Sequence, residues 1–366
     1  MIRLSFFGDF VCKDPSHLSL DAGFDQLLSE SDILSLNFEA PIKCSCKPIT
    51  KSGPSIYQSE DCPAFLEGWG FNVIQLANNH IMDYGEEGVT QTIQSFKKAN
   101  VIGAGEKEKA YSSAIIDVKG VKIGLLSLVQ REFGALDDFS SENDIGTAWI
   151  NHHRVNDIIR ETRQLCDILV VLPHAGIENV DIPLPEWRLR YKQFIELGAD
   201  AVVASHPHVP QGWEVYKDKY IFYSLGNFFF FKPGYEHASK ANMGLVASLC
   251  IHDDKHITAQ IFHTQFTDTS IRLYTDIERD NYLSSLIMNE REYQKCLDAV
   301  MDGLWDEYQL YILRGIGSMC LNSSWNTFIH SAYGMMKGMD VPMLLNNFQC
   351  ESHRWAIERI LRNKLR

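Results

Sequence analysis

The chain has 366 residues, of which 45% are apolar and 22% charged, and it carries a formal net charge of −13. That length is enough for one large α/β domain with an appendage, or for two domains, each able to bury a core. The acidic balance argues against nucleic acid, which needs a basic footprint, and no run approaches the roughly 18 apolar residues of a membrane span.

The first residues, Met1 to Asp9, read as a core strand and not as a targeting signal, so a cytoplasmic protein without a transmembrane segment is expected. Short apolar runs then alternate with helical patterns, which is an α/β signature. Strands are predicted at Ile2–Phe7, Asp32–Leu36, Asn72–Leu76, Ala114–Val118, Lys122–Leu128, Asp167–Leu172 and Ala201–Ala204. Helices are predicted near Leu20–Ser29, Gly85–Ala99, Asn151–Leu165 and Pro185–Leu197, the last opening on a proline that a first turn tolerates. Two hairpins turn at Lys119-Gly120 and at Asp253-Asp254-Lys255, the second between Leu245–Ile251 and Ile257–His263. Beyond about Ser270 the pattern changes to long helices, at Asp276 to Leu313, Trp325 to Met336 and His353 to Leu365. Residues 1–270 and 271–366 are therefore read as separate regions, the second a helical appendage that shapes access or mediates self-association without supplying ligands. Nine cysteines at irregular spacing do not form a secreted framework, and Cys44-Ser45-Cys46 is expected to hold reduced thiols in a surface loop.

Polar residues gather where the apolar strands end. Asp9 follows Phe7-Gly8, and Asn37 and Glu39 flank Phe38 at the i, i+2 spacing that puts both on one side of extended chain. Each alone is more often a turn or a solvated loop. Leu76-Ala77-Asn78-Asn79-His80 is harder to assign to packing, because buried amides and imidazoles need partners. Asp83 has an ordinary reading as an N-cap with Glu86 completing a capping box, and a second one as the group that orients His80. His174 follows a strand of Val and Leu, and His206 and His208 flank Pro207, with i, i+2 spacing aiming both rings at one pocket. Asn227, in Gly226-Asn227-Phe228, is balanced between a site role and a turn. Together Asp9, Glu39, Asn79, His174, His206 and His208 supply six oxygen or imidazole ligands from five strand ends, the donor set of a two-metal hydrolytic centre.

At these residues the sequence resembles the CapA (poly-gamma-glutamate capsule synthesis) proteins, a branch of the calcineurin-like metallophosphoesterases. The resemblance runs from residue 2 to about 265, through Gly8-Asp9, Asn37-Phe38-Glu39, Ala77-Asn78-Asn79-His80, Gly103-Ala104-Gly105, His174-Ala175-Gly176, His206-Pro207-His208 and Ser224-Leu225-Gly226-Asn227-Phe228. It implies a four-layered α/β sandwich, two mixed sheets between helices, with two divalent ions of the Mn, Zn or Fe type. Asp9 and His208 would bind the first metal, Glu39 would bridge, and Asn79, His174 and His206 would hold the second. His80 would be the catalytic acid, aided by Asp83. Two departures stand out: Val11 replaces the histidine of the superfamily's Asp-x-His, which weakens the first metal position, and Ala175 stands where an aromatic is common. The expected function is metal-dependent phosphoester hydrolysis in capsule or exopolymer synthesis, on an anionic small molecule or polymer. The alternative is a non-hydrolytic component that uses the metals to hold a polyanion.

Overall fold

The computed structural model describes residues 1–139, 144–230, 240–288, 290–316 and 341–364. Its helices are α1 (Gly23–Glu30), α2 (Cys62–Gly68), α3 (Gly85–Ser95), α4 (Lys107–Ala110), α5 (Val155–Leu165), α6 (Pro185–Leu197), α7 (Ile277–Met288), α8 (Glu290–Ile316), α9 (Val341–Gln349) and α10 (Glu351–Lys364). Among the described residues two mixed sheets, of nine and six strands, stack face to face, and three short strands form a third, small sheet. The third sheet is an addition to the expected pair. Its strands, Ala104–Glu106, Ala135–Leu136 and Ile145–Ala148, are too short to leave a periodic pattern.

Side-chain alternation builds the layers. In the strand Ile168–His174, Ile168, Val170 and Leu172 face the larger sheet, while Leu169 and Val171 face the helices on the outside. The first strand, Ile2–Val11, does the same from the other side: Ile2, Leu4 and Phe6 enter the inter-sheet core and Phe7 joins the outer core beneath α1 and α2. The result is a four-layered sandwich of helices, sheet, sheet and helices, as the resemblance implies. Strands Ile2–Val11, Ile33–Phe38 and Val73–Gln75 run parallel in the larger sheet, and Val121–Val129, Ile168–His174 and Ala201–Val203 run parallel in the smaller. Their C-terminal ends carry the polar segments singled out above.

Some local expectations change. Helix α3 stops at Ser95 instead of Ala99, because Glu67 Oε1 accepts from the amides of Lys97, Lys98 and Ala99 at 2.8, 2.6 and 3.0 Å and draws the chain away. Asp83 caps nothing: α3 begins at Gly85 with no side-chain cap. Cys44 and Cys46 are joined as a disulfide, not left as thiols, their Cα atoms lying 5.3 Å apart and within bridging range. The helix expected at Trp325 to Met336 lies outside the described residues, and α9 was not foreseen. No helix among the described residues is long and apolar enough to cross a membrane.

The C-terminal helices share the core of the smaller sheet. Leu297 and Met301 of α8 and Ala356 and Ile360 of α10 are fully buried in the same cluster as Trp187 and Tyr191 of α6. Trp187 stacks edge-on against Trp355 at 4.9 Å and donates from Nε1 to Ser352 Oγ at 2.8 Å. Burying each large apolar side chain is worth about 1.5–3 kcal/mol, so uncovering several of them exceeds much of a typical net stability of about 5–15 kcal/mol. A chain ending at Ser270 is therefore expected to aggregate or to lose its cooperative melt, checked by gel filtration and circular dichroism. A truncated chain that stays monomeric and melts sharply would make residues 271–366 a dispensable unit.

Candidate metal centre

The site begins with a close backbone crossing. Asp9 lies at a register shift near the end of its strand, where the chain from Leu225 to Gly226 passes so near that a Cβ on Gly8 would lie 1.9 Å from Gly226 O, and Asp9 N donates to that carbonyl at 2.9 Å. Only glycine at position 8 allows this contact, which presents the Asp9 carboxylate at the sheet's end. Asn37 and Glu39 emerge from the neighbouring parallel strand, with Phe38 turned into the aromatic core as its spacing predicts.

All six expected ligands come together. Asp9, Glu39 and His208 form one group, and Glu39, His174 and His206 a second, each with ligand atoms within 4.8 Å of one another and Glu39 common to both. His174 Nε2 lies 3.6 Å from Glu39 Oε1, 3.0 Å from Asn79 Oδ1 and 3.0 Å from His206 Nδ1. His208 lies 3.4 Å from Asp9 Oδ2 through Nδ1 and 3.6 Å from Glu39 Oε1 through Nε2.

The two histidines around Pro207 do not converge through extended chain. His206 has φ +105° and His208 φ +58°, so a tight turn of left-handed residues, not strand alternation, brings the rings together. Such conformations cost roughly 1–3 kcal/mol each in non-glycine residues and persist where the surroundings hold them. Here His206 N donates to Asp9 Oδ2 at 3.3 Å, and His208 Nδ1 is 3.0 Å from Asn227 Oδ1.

Electrostatics fit a cation pair. Burial and the neighbouring Asp9 charge drive the Glu39 carboxyl well above the usual range. Burial would also raise Asp9, but its hydrogen bond to His208 and the nearby His174 keep it below its ordinary value. Although burial opposes it, Glu39 and Asp9 carry His208 up to about 10, while burial pushes His174 down to about 3. Most telling, Glu39 Oε1 is wholly buried without a hydrogen-bond partner, midway between the Nε2 atoms of two imidazoles. A buried carboxyl oxygen left unpaired is costly, and a divalent ion beside it would satisfy it.

Around the ligands lies an outer shell that sequence reading captured only in part. Asn37 Nδ2 donates to Asp9 Oδ1 at 2.8 Å, and Asn78 Nδ2 holds Asn37 Oδ1 at 3.0 Å. Asn227 donates to the carbonyls of His208 and Ala241, which leaves Oδ1 to accept from His208 Nδ1 and frees Nε2 for a metal. This gives Asn227 a role in orienting a ligand. Ser205 Oγ lies 3.1 Å from His174 Nδ1 and would accept a hydrogen bond from it when Nε2 serves as ligand. Gln130 was missed: its Oε1 accepts from Gly176 N at 3.0 Å and Ser352 Oγ at 2.5 Å, directing Nε2 to Glu132 Oε1 and His206 Nε2 at 2.7 and 3.0 Å. Its only sequence signal is its place one residue after a buried strand.

His80 is not in either ligand group. Its Nδ1 sits 2.8 Å from Asp83 Oδ2 and 3.1 Å from Lys51 Nζ, and Lys51 pairs with the other Asp83 oxygen. Asp83 also accepts from Ile56 N at 2.7 Å, so it is a fixed buried anchor. His80, Asn79, His206, Lys51, Glu132 and Glu178 line a cavity of about 410 Å³, whose remaining wall includes Leu304, Met343, Asn346, Asn347 and His353 of the C-terminal helices. No residue beyond 270 belongs to either ligand group among the described residues. A separate cluster of Asp138, His152 and His153 has its carboxylate already paired with Lys107.

The chain is 35% identical over 214 residues to the capsule biosynthesis protein CapA of Bacillus anthracis, covering 56% of this chain and 51% of that protein. It is 30% identical over 247 residues to the PGA biosynthesis protein CapA of Bacillus subtilis, covering 63% of each. The chain thus matches between about half and two thirds of the length of these curated relatives. Among solved structures, the sulfate thiohydrolase SoxB of Thermus thermophilus superposes with a TM-score of 0.41 at 10% identity, over 71% of this chain and 56% of that one. Residues 3–232 match the family described as "Bacterial capsule synthesis protein PGA_cap", and the chain belongs to that family.

Proposed function

We propose that this protein is a metal-dependent phosphoester hydrolase serving capsule or exopolymer synthesis. The observation that carries the reading is the pair of ligand groups sharing Glu39, with its unpaired buried oxygen. Asp9, Glu39 and His208 would hold the first ion, and Glu39, Asn79, His174 and His206 the second. Two divalent ions so held would lower the pKa of water toward about 7 and clamp the attacking and leaving oxygens. Asp83 accepts from Nδ1 of His80 and so favours the imidazolium, against the burial that lowers its pKa; in that form the Nε2 proton would pass to a leaving oxygen at the cavity wall and leave the ring neutral. Lys51 adds a cation beside His80 and Asp83, whereas Glu132 and Glu178 line the rest of the cavity. An anionic substrate, small or polymeric, would therefore bring its phosphate to the metals and keep other charge clear of those carboxylates.

The two positions should not fill equally. The first group offers three ligands and the second four, and Val11 is buried among phenylalanines with no donor to add. Elemental analysis with anomalous scattering of crystals is expected to show the second position fuller than the first; equal filling would refute the asymmetry. The function itself is tested by loading the protein with Mn, Zn or Fe and screening phosphomonoesters and phosphodiesters. Turnover that vanishes on chelation is expected. Full metal occupancy without turnover of any ester would instead favour a non-hydrolytic component that holds an anionic polymer.

A further inference from the structure

We propose that Lys51 is a positioning residue for His80, carried to the centre by the loop of residues 43–57 and acting through Asp83 instead of on the substrate. The ends of that loop are closed where Ile42 pairs with Gln58: Lys43 N donates to Gln58 O at 2.8 Å and Gln58 N to Pro41 O at 2.9 Å. Between these points the chain forms neither helix nor strand. Such loops of about 12–15 residues or more are uncommon in compact domains and are usually functional. This one is fastened to a single residue. Ile49 N donates to Asp83 O at 2.9 Å, Ile56 N donates to Asp83 Oδ2 at 2.7 Å, and Lys51 Nζ pairs with Asp83 Oδ1.

The contacts decide how Lys51 acts. Asp83 is fully buried, with Lys51 as the cation at Oδ1, and its Oδ2 lies 2.8 Å from His80 Nδ1. Lys51 Nζ reaches that same ring nitrogen at 3.1 Å, on the side of the imidazole away from the Nε2 that would meet a leaving oxygen. The Lys51 side chain is only 4% exposed and has little surface to offer a ligand, although the residue lines the cavity. An ammonium that moved to a phosphoester would leave a buried carboxylate oxygen without its cation. Breaking one half of a buried ion pair is strongly destabilising, whereas removing both halves can be nearly neutral. Lys51 therefore stays on Asp83 and fixes where Oδ2 stands, and Oδ2 fixes the ring. This role rests on the hydrolytic reading only for its rate measurements.

The test is a double-mutant cycle on the full chain loaded with Mn. Lys51→Met should lower kcat for an alkyl phosphomonoester by about the same factor as Asp83→Asn, roughly tenfold, with KM and metal content unchanged. The two changes together should be no slower than either alone, because they break one unit. Nitrophenyl esters, which need little proton donation, should be spared in all three variants. Each single variant is expected to melt below the wild type, and the double variant to recover most of that loss. A rise in KM on every ester, or rate or melting losses that simply add to those of Asp83→Asn, would make Lys51 a substrate contact or an independent structural group and overturn the proposal. Should Lys51→Met fail to fold, the double variant decides: an alkyl-ester defect larger than that of Asp83→Asn would overturn it as well. A readout that needs neither metal nor ester is the nitrogen NMR signal of His80 Nδ1, which Lys51→Met and Asp83→Asn should shift in the same direction in the metal-free protein. That shift without turnover of any phosphoester would defeat the hydrolytic reading and leave the positioning role standing; an unmoved signal in Lys51→Met would defeat the role.

Discussion

Glu39→Gln is expected to empty both metal positions at once, the largest effect of any single substitution in the site. Glu39 is the only residue common to both ligand groups, and its buried Oε1 faces an imidazole nitrogen on each side. Losing an outer-shell partner of a metal ligand typically costs about 10–100-fold in affinity, so removing the shared charge should cost at least about 100-fold at each position. The change is specific to the metal-bound state. In the metal-free protein, burial and Asp9 already drive the Glu39 carboxyl toward its neutral form, which glutamine resembles. The metal-free variant should therefore melt within a few degrees of wild type, while the stabilisation by metal disappears. At a metal concentration 100 times the dissociation constant, that stabilisation is about 2.7 kcal/mol in wild type. By contrast, Asp9→Asn should empty only the first position and Asn79→Ala only the second. Elemental analysis and melting with and without metal decide it, and a Glu39→Gln protein that keeps one full equivalent would show that Glu39 does not bridge.

His80→Ala should lower turnover about 10²–10⁴-fold with metal content unchanged, as loss of a general acid does. His80 lies outside both ligand groups, on the cavity wall, with Nδ1 engaged by Asp83 and Lys51. Esters with good leaving groups need little proton donation, so the defect should shrink for nitrophenyl esters relative to alkyl esters. His206→Ala should instead lose metal. Asp83→Asn offers a finer measurement, because it keeps the shape but weakens the hold on Nδ1, and it should reproduce part of the alkyl-ester defect. If His80→Ala loses metal as His206→Ala does, or shows the same defect on every leaving group, the assigned role is wrong.

Much of this centre was legible in the chain because open α/β sheets collect their ligands at strand ends, and strand ends can be read locally. Asp9, Asn37, Glu39, Asn79, His80 and His174 each follow a buried apolar run, so parallel pairing places them at one end of their sheets, and the stacking of the two sheets brings them together. The six metal candidates lie together. What misled was local pattern without tertiary context. Asp83 fits a capping box in sequence, but its carboxylate is drawn to His80, Lys51 and Ile56 N, partners up to 32 residues away. The spacing of His206 and His208 suggested extended chain, while the structure turns both through positive φ.

Alternation and apolar runs determined, by themselves, the α/β class, most of the strands and the identity of the residues that gather at the sheet ends, because those features depend on burial of neighbours a few positions apart. Tertiary structure alone decided which atoms face one another. It made Asn227 and Gln130 supports for His208 and His206, left Glu39 Oε1 unpaired between two imidazoles, and brought Asn346, Asn347 and His353 to the cavity. Helices α8 to α10 carry no strand-end pattern to announce such a role. Helices α8 and α10 pack against α6, between residues more than 100 positions apart, and α9 packs on α8 and α10, contacts that no local period encodes.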